Sequence, residues 1–355
     1  DASATAIYGA RGAGGVIMIT TKQGTSGDTQ VSFDASGSIQ RVAGKLDILN
    51  GTEFARLKNE ALANDGLEPE YENPSSIGEG TDWQDEVFRT ASKQNYNLSV
   101  SGGNESITYR VSGRFSDEGG IVTGSDFSNG GLRLNLGGDI SDRVGFGTNL
   151  NINRQVRNVV GGQRVRNALQ FDPTLPVRAD GEYSRFNVPQ VDIDNPIAEA
   201  KEIDNEIDEL RAFGNVYATV SILEGLELRS SFSGRRDDIQ NKNFIPTDVV
   251  AGQEVGALGQ VTSAVTNEWV LENRLTYEDT YNGIHNLTVM GGYTVQNSRT
   301  ETVFAGAENF ITERLGYNDL SAGSRFLSPD TGVEEWAIQS FLFRTNYILD
   351  DKYLL

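Results

Sequence analysis

Hydrophobic and polar residues alternate with period two along much of the chain, and residues 144–153 show this most plainly. Val144, Phe146, Thr148, Leu150 and Ile152 fall on one face of an extended segment, while Gly145, Gly147, Asn149, Asn151 and Asn153 fall on the other. Tyr96, Leu98 and Val100 repeat the pattern. So do Ile107, Tyr109, Val111, Gly113 and Phe115, interleaved with Thr108, Arg110, Ser112 and Arg114. Further instances at 31–39, 132–140, 216–222, 226–232, 269–277, 287–295, 341–349 and 353–355 predict about eleven strands.

The connections sort by length. Tight turns are expected near 102–105, 141–143, 223–225, 279–284 and 350–352, and long loops at about 40–95, 116–130, 154–211, 235–267 and 296–337. Short and long connections in strict alternation are the connectivity of an antiparallel up-and-down barrel, with turns at one rim and large loops at the other. A transmembrane β-barrel adds tilted strands of about 9–11 residues, apolar outside and polar inside, with aromatic girdles. Trp269, Tyr277, Tyr109, Phe115, Tyr347 and Tyr353 stand near strand ends where such girdles belong. A soluble β-sandwich also alternates, but its strands are shorter, about 5–6 residues, and its loops are not sorted by length.

Composition fits this reading. The hydrophobic fraction of 37% is low for a protein with a large dry core, whereas 40 Gly against 8 Pro suits long strands joined by turns. The content of 3 Trp, 12 Tyr and 16 Phe argues against disorder. No apolar run approaches the ~20 residues a membrane-spanning helix needs. The start of the chain lacks a signal-peptide pattern, which predicts a segment internal to a longer protein. The absence of Cys removes disulfides, thiolate metal sites and cysteine nucleophiles. A formal charge of −20 disfavours nucleic acid as a partner. Acids concentrated in long loops are compatible with high-salt surroundings, with divalent cations bridging to lipopolysaccharide, or with selection against anionic cargo.

Enzyme signatures are missing. The single histidine, His285, cannot support a histidine metal cluster, and it falls in an expected turn where a structural role is anticipated. No nucleophile elbow occurs, so no catalytic residue, cofactor or metal site is assigned. Two loops carry helix signals. Asn50-Gly-Thr-Glu53 has the form of a capping box, with Phe54, Leu57 and Ala61 as the expected packing stripe and Gly66 as the stop. The acid-rich stretch 192–209 places Ile203, Ile207 and Leu210 at helical spacing. It lacks a calcium-loop frame and reads as a solvated acidic loop.

The first residues, DASATAIYGARGAGGVIMITTKQG, cluster Gly9, Gly12, Gly14 and Gly15 ahead of a β-branched strand. A phosphate-binding loop would place a helix there and add Gly-Lys-Ser/Thr, and neither is present. This stretch resembles the end of the plug domain in SusC/RagA-type TonB-linked outer-membrane transporters, with Tyr8, Gly9, Arg11, Gly12, Gly14 and Gly15 as the motif. The resemblance continues through residues 81–88, 94–103, 109–120, 272–277 and 343–354, and is weakest at 155–210 and 235–265.

The resemblance implies a barrel of about 22 strands around a plug. Residues 1–27 would be the end of the plug and 28–355 the first half of the barrel. It also implies energy from the inner-membrane TonB complex, contacted by a segment outside this sequence, and a SusD-like surface lipoprotein as lid. The cargo would be an oligosaccharide or peptide, and the surrounding partner outer-membrane lipid. Half a barrel leaves two strand edges unpaired, a second reason to expect a longer protein. Lumen-facing Arg110, Arg114, Arg133, Asn149 and Asn151, and loop aromatics Trp83, Phe127, Tyr183 and Phe186, are the candidate cargo or lumen contacts. Rival readings are a passive porin or adhesin barrel, which a plug motif disfavours, and a secreted carbohydrate-binding β-sandwich.

Overall fold

The computed structural model describes residues 22–188, 191–350 and 353–354. Residues 8–15, with the plug-like glycine motif, lie outside the described residues. The architecture is one antiparallel sheet with a cap of helices and short hairpins at one end. Strands β1 (Gly27–Gln40), β2 (Ala91–Gly103), β3 (Ile107–Gly119), β4 (Asp126–Ser141) and β5 (Val144–Asn158) pair in sequence order. Two small hairpins follow, β6 (Arg178–Ala179) with β7 (Glu182–Tyr183), and β8 (Phe186–Val188) with β9 (Val191–Ile193). The sheet resumes with β10 (Asp204–Leu223), β11 (Leu226–Ile245), β12 (Leu258–Tyr281) and β13 (His285–Phe310). Beyond these come β14 (Gly323–Phe326), β15 (Asp330–Leu349) and β16 (Tyr353–Leu354). β14 pairs with β13 off the main path, and the sheet is open, with β1 and β16 at its edges.

The eleven strands of the main path correspond one to one with the alternating segments of the sequence. The tight turns also fall where expected, and Gly225, Asn282, Gly283 and Asp350 take the positive φ such turns need. The opposite connections differ from expectation. They span only 41–90, 120–125, 159–203, 246–257 and 311–329, because β10 to β13 and β15 run for 20 to 26 residues. A bilayer needs about 9–11 residues of tilted strand, so these strands continue well beyond it. Out of the membrane both faces meet water and the alternation fades, while the ladder continues. Its register from Leu258↔Glu308 to Tyr281↔His285 is unbroken.

One row across the sheet displays the change. Phe33, Leu98, Gly113, Leu132 and Ile152 are cross-strand neighbours on the apolar face, and the same row continues through Ala212, Arg236, Asn267, Arg299 and Glu335. On β15 the apolar positions lie further down the strand, at Phe341 and Phe343, which are 82% and 73% exposed. A belt that steps along successive strands is what tilted strands in a barrel wall require. The charged end of the row ties itself together: Arg236 donates to Asn267 at 3.0 Å, and Arg299 sits 3.5 Å from Glu335.

Packing is concentrated in the cap. Helices α1 (Gly51–Asn64) and α2 (Trp83–Val87) come from the β1–β2 connection, α3 (Gln163–Gln170) and α4 (Pro196–Glu202) from the β5–β10 connection, and α5 (Val250–Gln253) from the β11–β12 connection. Trp83, Val87, Ala168, Phe171, Tyr183, Ile197, Ala198 and Val249 form one buried cluster. Trp83 packs edge-on against Phe171 at 4.6 Å and donates its indole N–H to the Asp172 carbonyl at 3.0 Å. Gly124, at φ +85, lets the β3–β4 turn meet this cap, since a Cβ there would collide with the Ala200 carbonyl.

α1 has the expected capping box: Glu53 N donates to Asn50 Oδ1 at 3.0 Å, and Asn50 N donates to Glu53 Oε2 at 3.1 Å. Its packed face is not the expected stripe. Gly51 and Ala55 are buried whereas Leu57 is 54% exposed, because the helix leans on the Gly78–Gly80 turn through its first turn. The acid-rich stretch also departs from expectation. It forms α4 and then the start of β10, so Ile203, Ile207 and Leu210 never share a helix face. Its acids find cations instead of water alone: Glu206 meets Lys242 at 2.8 Å and Asp208 meets Arg154 at 2.7 Å.

Candidate functional site: a basic cavity on the polar wall

Strand parity brings four of the singled-out polar residues together. On β3, Arg110, Ser112 and Arg114 point to the polar face. The register places Ser99 of β2 and Arg133 of β4 on either side of Ser112, and Asn151 of β5 beside Arg133. These side chains line a cavity of 310 Å³ together with Lys22, Ser32, Asp34 and Asn97. Four cationic side chains and one carboxylate therefore share the lining.

Two of these cations hold neutral partners. Arg110 donates to Ser99 Oγ at 3.0 Å and to Ser101 Oγ at 3.5 Å. Arg114 reaches across β4 to Asn153 Oδ1 at 3.1 Å. It can do so because residue 131 is glycine: a Cβ there would stand 2.9 Å from that same amide oxygen. Arg133 is exposed. Among the described residues, Asp34 accepts a long 3.4 Å bond from Ser32 Oγ. Elsewhere on the polar face arginines reach acids, as Arg235 does with its Nε donating to Asp237 at 3.1 Å.

Asn149 stands apart from this cavity. It accepts from Asn135 Nδ2 and lines a smaller, 30 Å³ space with Gln23, Gly24 and Tyr217, into which the buried Asn135 Oδ1 carries no hydrogen bond. Of the loop aromatics expected to meet cargo, Trp83 and Tyr183 are buried. Both belong to the buried cap cluster, because loops of this length close over their own apolar residues. Tyr183 donates to Glu202 at 2.5 Å and has the Arg178 guanidinium 3.6 Å over its ring. Burial pushes its hydroxyl up to about 12. Phe186 is half-buried against Phe171 and Phe54, at 5.7 and 6.4 Å. Phe127 is half-buried on β4, paired with Glu118 and Arg157. His285 opens β13, with Nδ1 2.6 Å from the Tyr347 hydroxyl. Sequence reasoning did not single out Lys22, Asp34 and Ser99; the alternation of β1 and β2 would have placed Asp34 and Ser99 on the polar face, whereas Lys22 lies outside the described strands.

Among the described residues no group of three or more His, Cys, Asp or Glu could hold a metal ion. The cap carries the most perturbed acid, Glu199. Burial, reinforced by the charge of Asp194, pushes its carboxyl up to about 7, against the opposing pull of the Asn167 amide at 2.8 Å and the Arg164 charge.

Comparison with known proteins decides the family. No protein-family model matches the chain. It is 35% identical over its whole length to the TonB-dependent receptor P3 of Formosa agariphila, and covers 35% of that protein. The TonB-dependent receptor SusC of Bacteroides thetaiotaomicron is 37% identical over 190 residues, 52% of this chain and 18% of SusC. The chain belongs to the SusC/RagA family of TonB-dependent outer-membrane receptors. The fold agrees: a chain of the RagAB peptide transporter superposes on 99% of this one with a TM-score of 0.78 at 22% identity, and 44% of it is covered. The SusC/RagA chain described here thus spans about a third of the length of the full-length curated relative it matches, and its open sheet corresponds to part of an outer-membrane barrel.

Proposed function

We propose that the whole protein imports an oligosaccharide or peptide nutrient across the bacterial outer membrane, driven through TonB and closed outside by a SusD-like surface lipoprotein. The observation that carries this reading is the match of this chain, over its whole length, to 35% of a TonB-dependent receptor. Residues 1–27 would be the end of a plug and 28–355 the first part of the barrel. The rival porin reading makes the opposite prediction about energy. Uptake of the nutrient by cells carrying the full-length protein is expected to stop when TonB is deleted. Purified protein in liposomes should not pass small neutral sugars, and free conductance would favour the porin.

A further inference from the structure

The formal charge of −20 makes this chain repel anions overall, yet the cavity on its first strands gathers four cations against one carboxylate. Arg133 is diagonal across β3–β4 to both Arg110 and Arg114, with Ser112 directly opposite. Diagonal neighbours in an antiparallel pair lie about 7–8 Å apart, within reach of long side chains, and like charges so placed repel. Arg110 and Arg114 spend the bonds they make on Ser99, Ser101 and Asn153, which carry no charge to offset them, and Asp34 is the one carboxylate in the lining. Gly131 and serines at 99 and 112 keep the space between them open, and Lys22 adds a fourth cation.

A guanidinium presents five N–H donors in a planar fork suited to a two-oxygen acceptor. We propose that this cavity binds an oxyanion, a carboxylate or sulfate ester, carried by the cargo. The inference rests on the import reading and adds the charge class of what is imported. Residues 1–21 carry a single acid, Asp1, together with Arg11. With Arg133 exposed and Arg110 and Arg114 already held in place by neutral partners, an arriving oxyanion meets donors that give up no ion pair to receive it.

Calorimetry on the full-length protein in detergent tests this with two matched pairs of probes, tetraglutamate against tetraserine and tetragalacturonate against maltotetraose. The acidic member of at least one pair should bind 10-fold or more tightly than its neutral partner, and the preference should shrink as salt rises. The double variant Arg114→Gln/Arg133→Gln should abolish the preference without moving the unfolding midpoint. Arg299→Gln, which removes a cation from the apolar-side row, should keep it. No acidic preference in either pair overturns the proposal. So does a lowered midpoint in the double variant with unchanged binding, which would give the arginines an acid of the protein itself as partner. TonB dependence of uptake is read separately. An indifferent cavity with TonB-driven uptake removes only this inference, and acid preference with TonB-independent uptake removes only the import mechanism.

Discussion

The cap and the wall obey different rules of stability. In the cap, Trp83, Val87 and Ile197 are almost wholly enclosed, so apolar surface leaves water within the chain itself. In the wall, Phe33, Phe341 and Phe343 remain exposed, and cohesion comes from long hydrogen-bonded ladders such as β13–β15, unbroken from His285↔Leu349 to Phe304↔Asp330. A residue in the cap matters for what it touches, whereas a residue in the wall matters for which solvent its face meets. Trp83→Ala is the substitution that should break this contrast most visibly. Removing a fully buried tryptophan costs about 3–5 kcal/mol through lost transfer energy and the cavity left behind. The indole N–H bond to Asp172 is lost with it. Hydrogen exchange should accelerate through 41–90 and 159–203 while β2 to β5 stay protected. Equal acceleration in both regions would mean that cap and wall unfold as one unit.

A paired substitution sharpens the other side of the comparison. Phe343 lies in the apolar belt, and Glu335 lies on the same outward face of β15 in the charged row. Arginine on a lipid-facing position costs about 2–4 kcal/mol near the bilayer midplane and about 0–1 near the interface. Phe343→Arg should therefore lower the folding yield of the full-length protein into lipid vesicles, and Glu335→Arg should leave it nearly unchanged. Similar losses for the two would place the belt elsewhere on the strand.

The same contrast explains what could be read from the chain. Strand number and turn positions were legible because lipid on one side and a polar interior on the other impose period two within the belt. Strand length was not, since above the membrane residues such as Arg236, Asn267 and Arg299 satisfy the ladder without any apolar mark. In the cap, local signals succeeded where the interaction is local. The Asn50–Glu53 capping box is a contact between residues three apart. The face α1 buries depends on the Gly78–Gly80 turn and on Pro173, so Leu57 and Ala61 misled. Trp83 and Tyr183 have the composition of loop aromatics and the environment of core residues, a difference that only tertiary contacts decide. For the basic cavity, alternation located Arg110, Arg114 and Arg133 on one face, but only the register brought Arg133 diagonal to both others.

The smallest expected effect separates cap from wall by pH. Glu199 in α4 is buried beside Asp194, and its carboxyl is raised from the usual 4.5 to about 7. Its proton is therefore held more tightly in the folded cap than in the unfolded chain. Below about pH 4.5 both states are protonated and nothing is lost. As pH rises towards 7 the folded cap must either keep a proton that the unfolded chain releases or bury a charge, so its stability falls and then levels off. That rise corresponds to at most about 3–4 kcal/mol, lessened by whatever water enters the site. Arg164 stays cationic throughout and adds no titration of its own in this range. Protection of the cap amides should thus be greater at pH 5 than at pH 8, with little change in β2 to β5. Glu199→Gln, which keeps an acceptor for the Asn167 amide, should flatten the profile and raise cap protection at pH 8. A slope that survives Glu199→Gln would assign the titration to Asp194 or another cap acid instead.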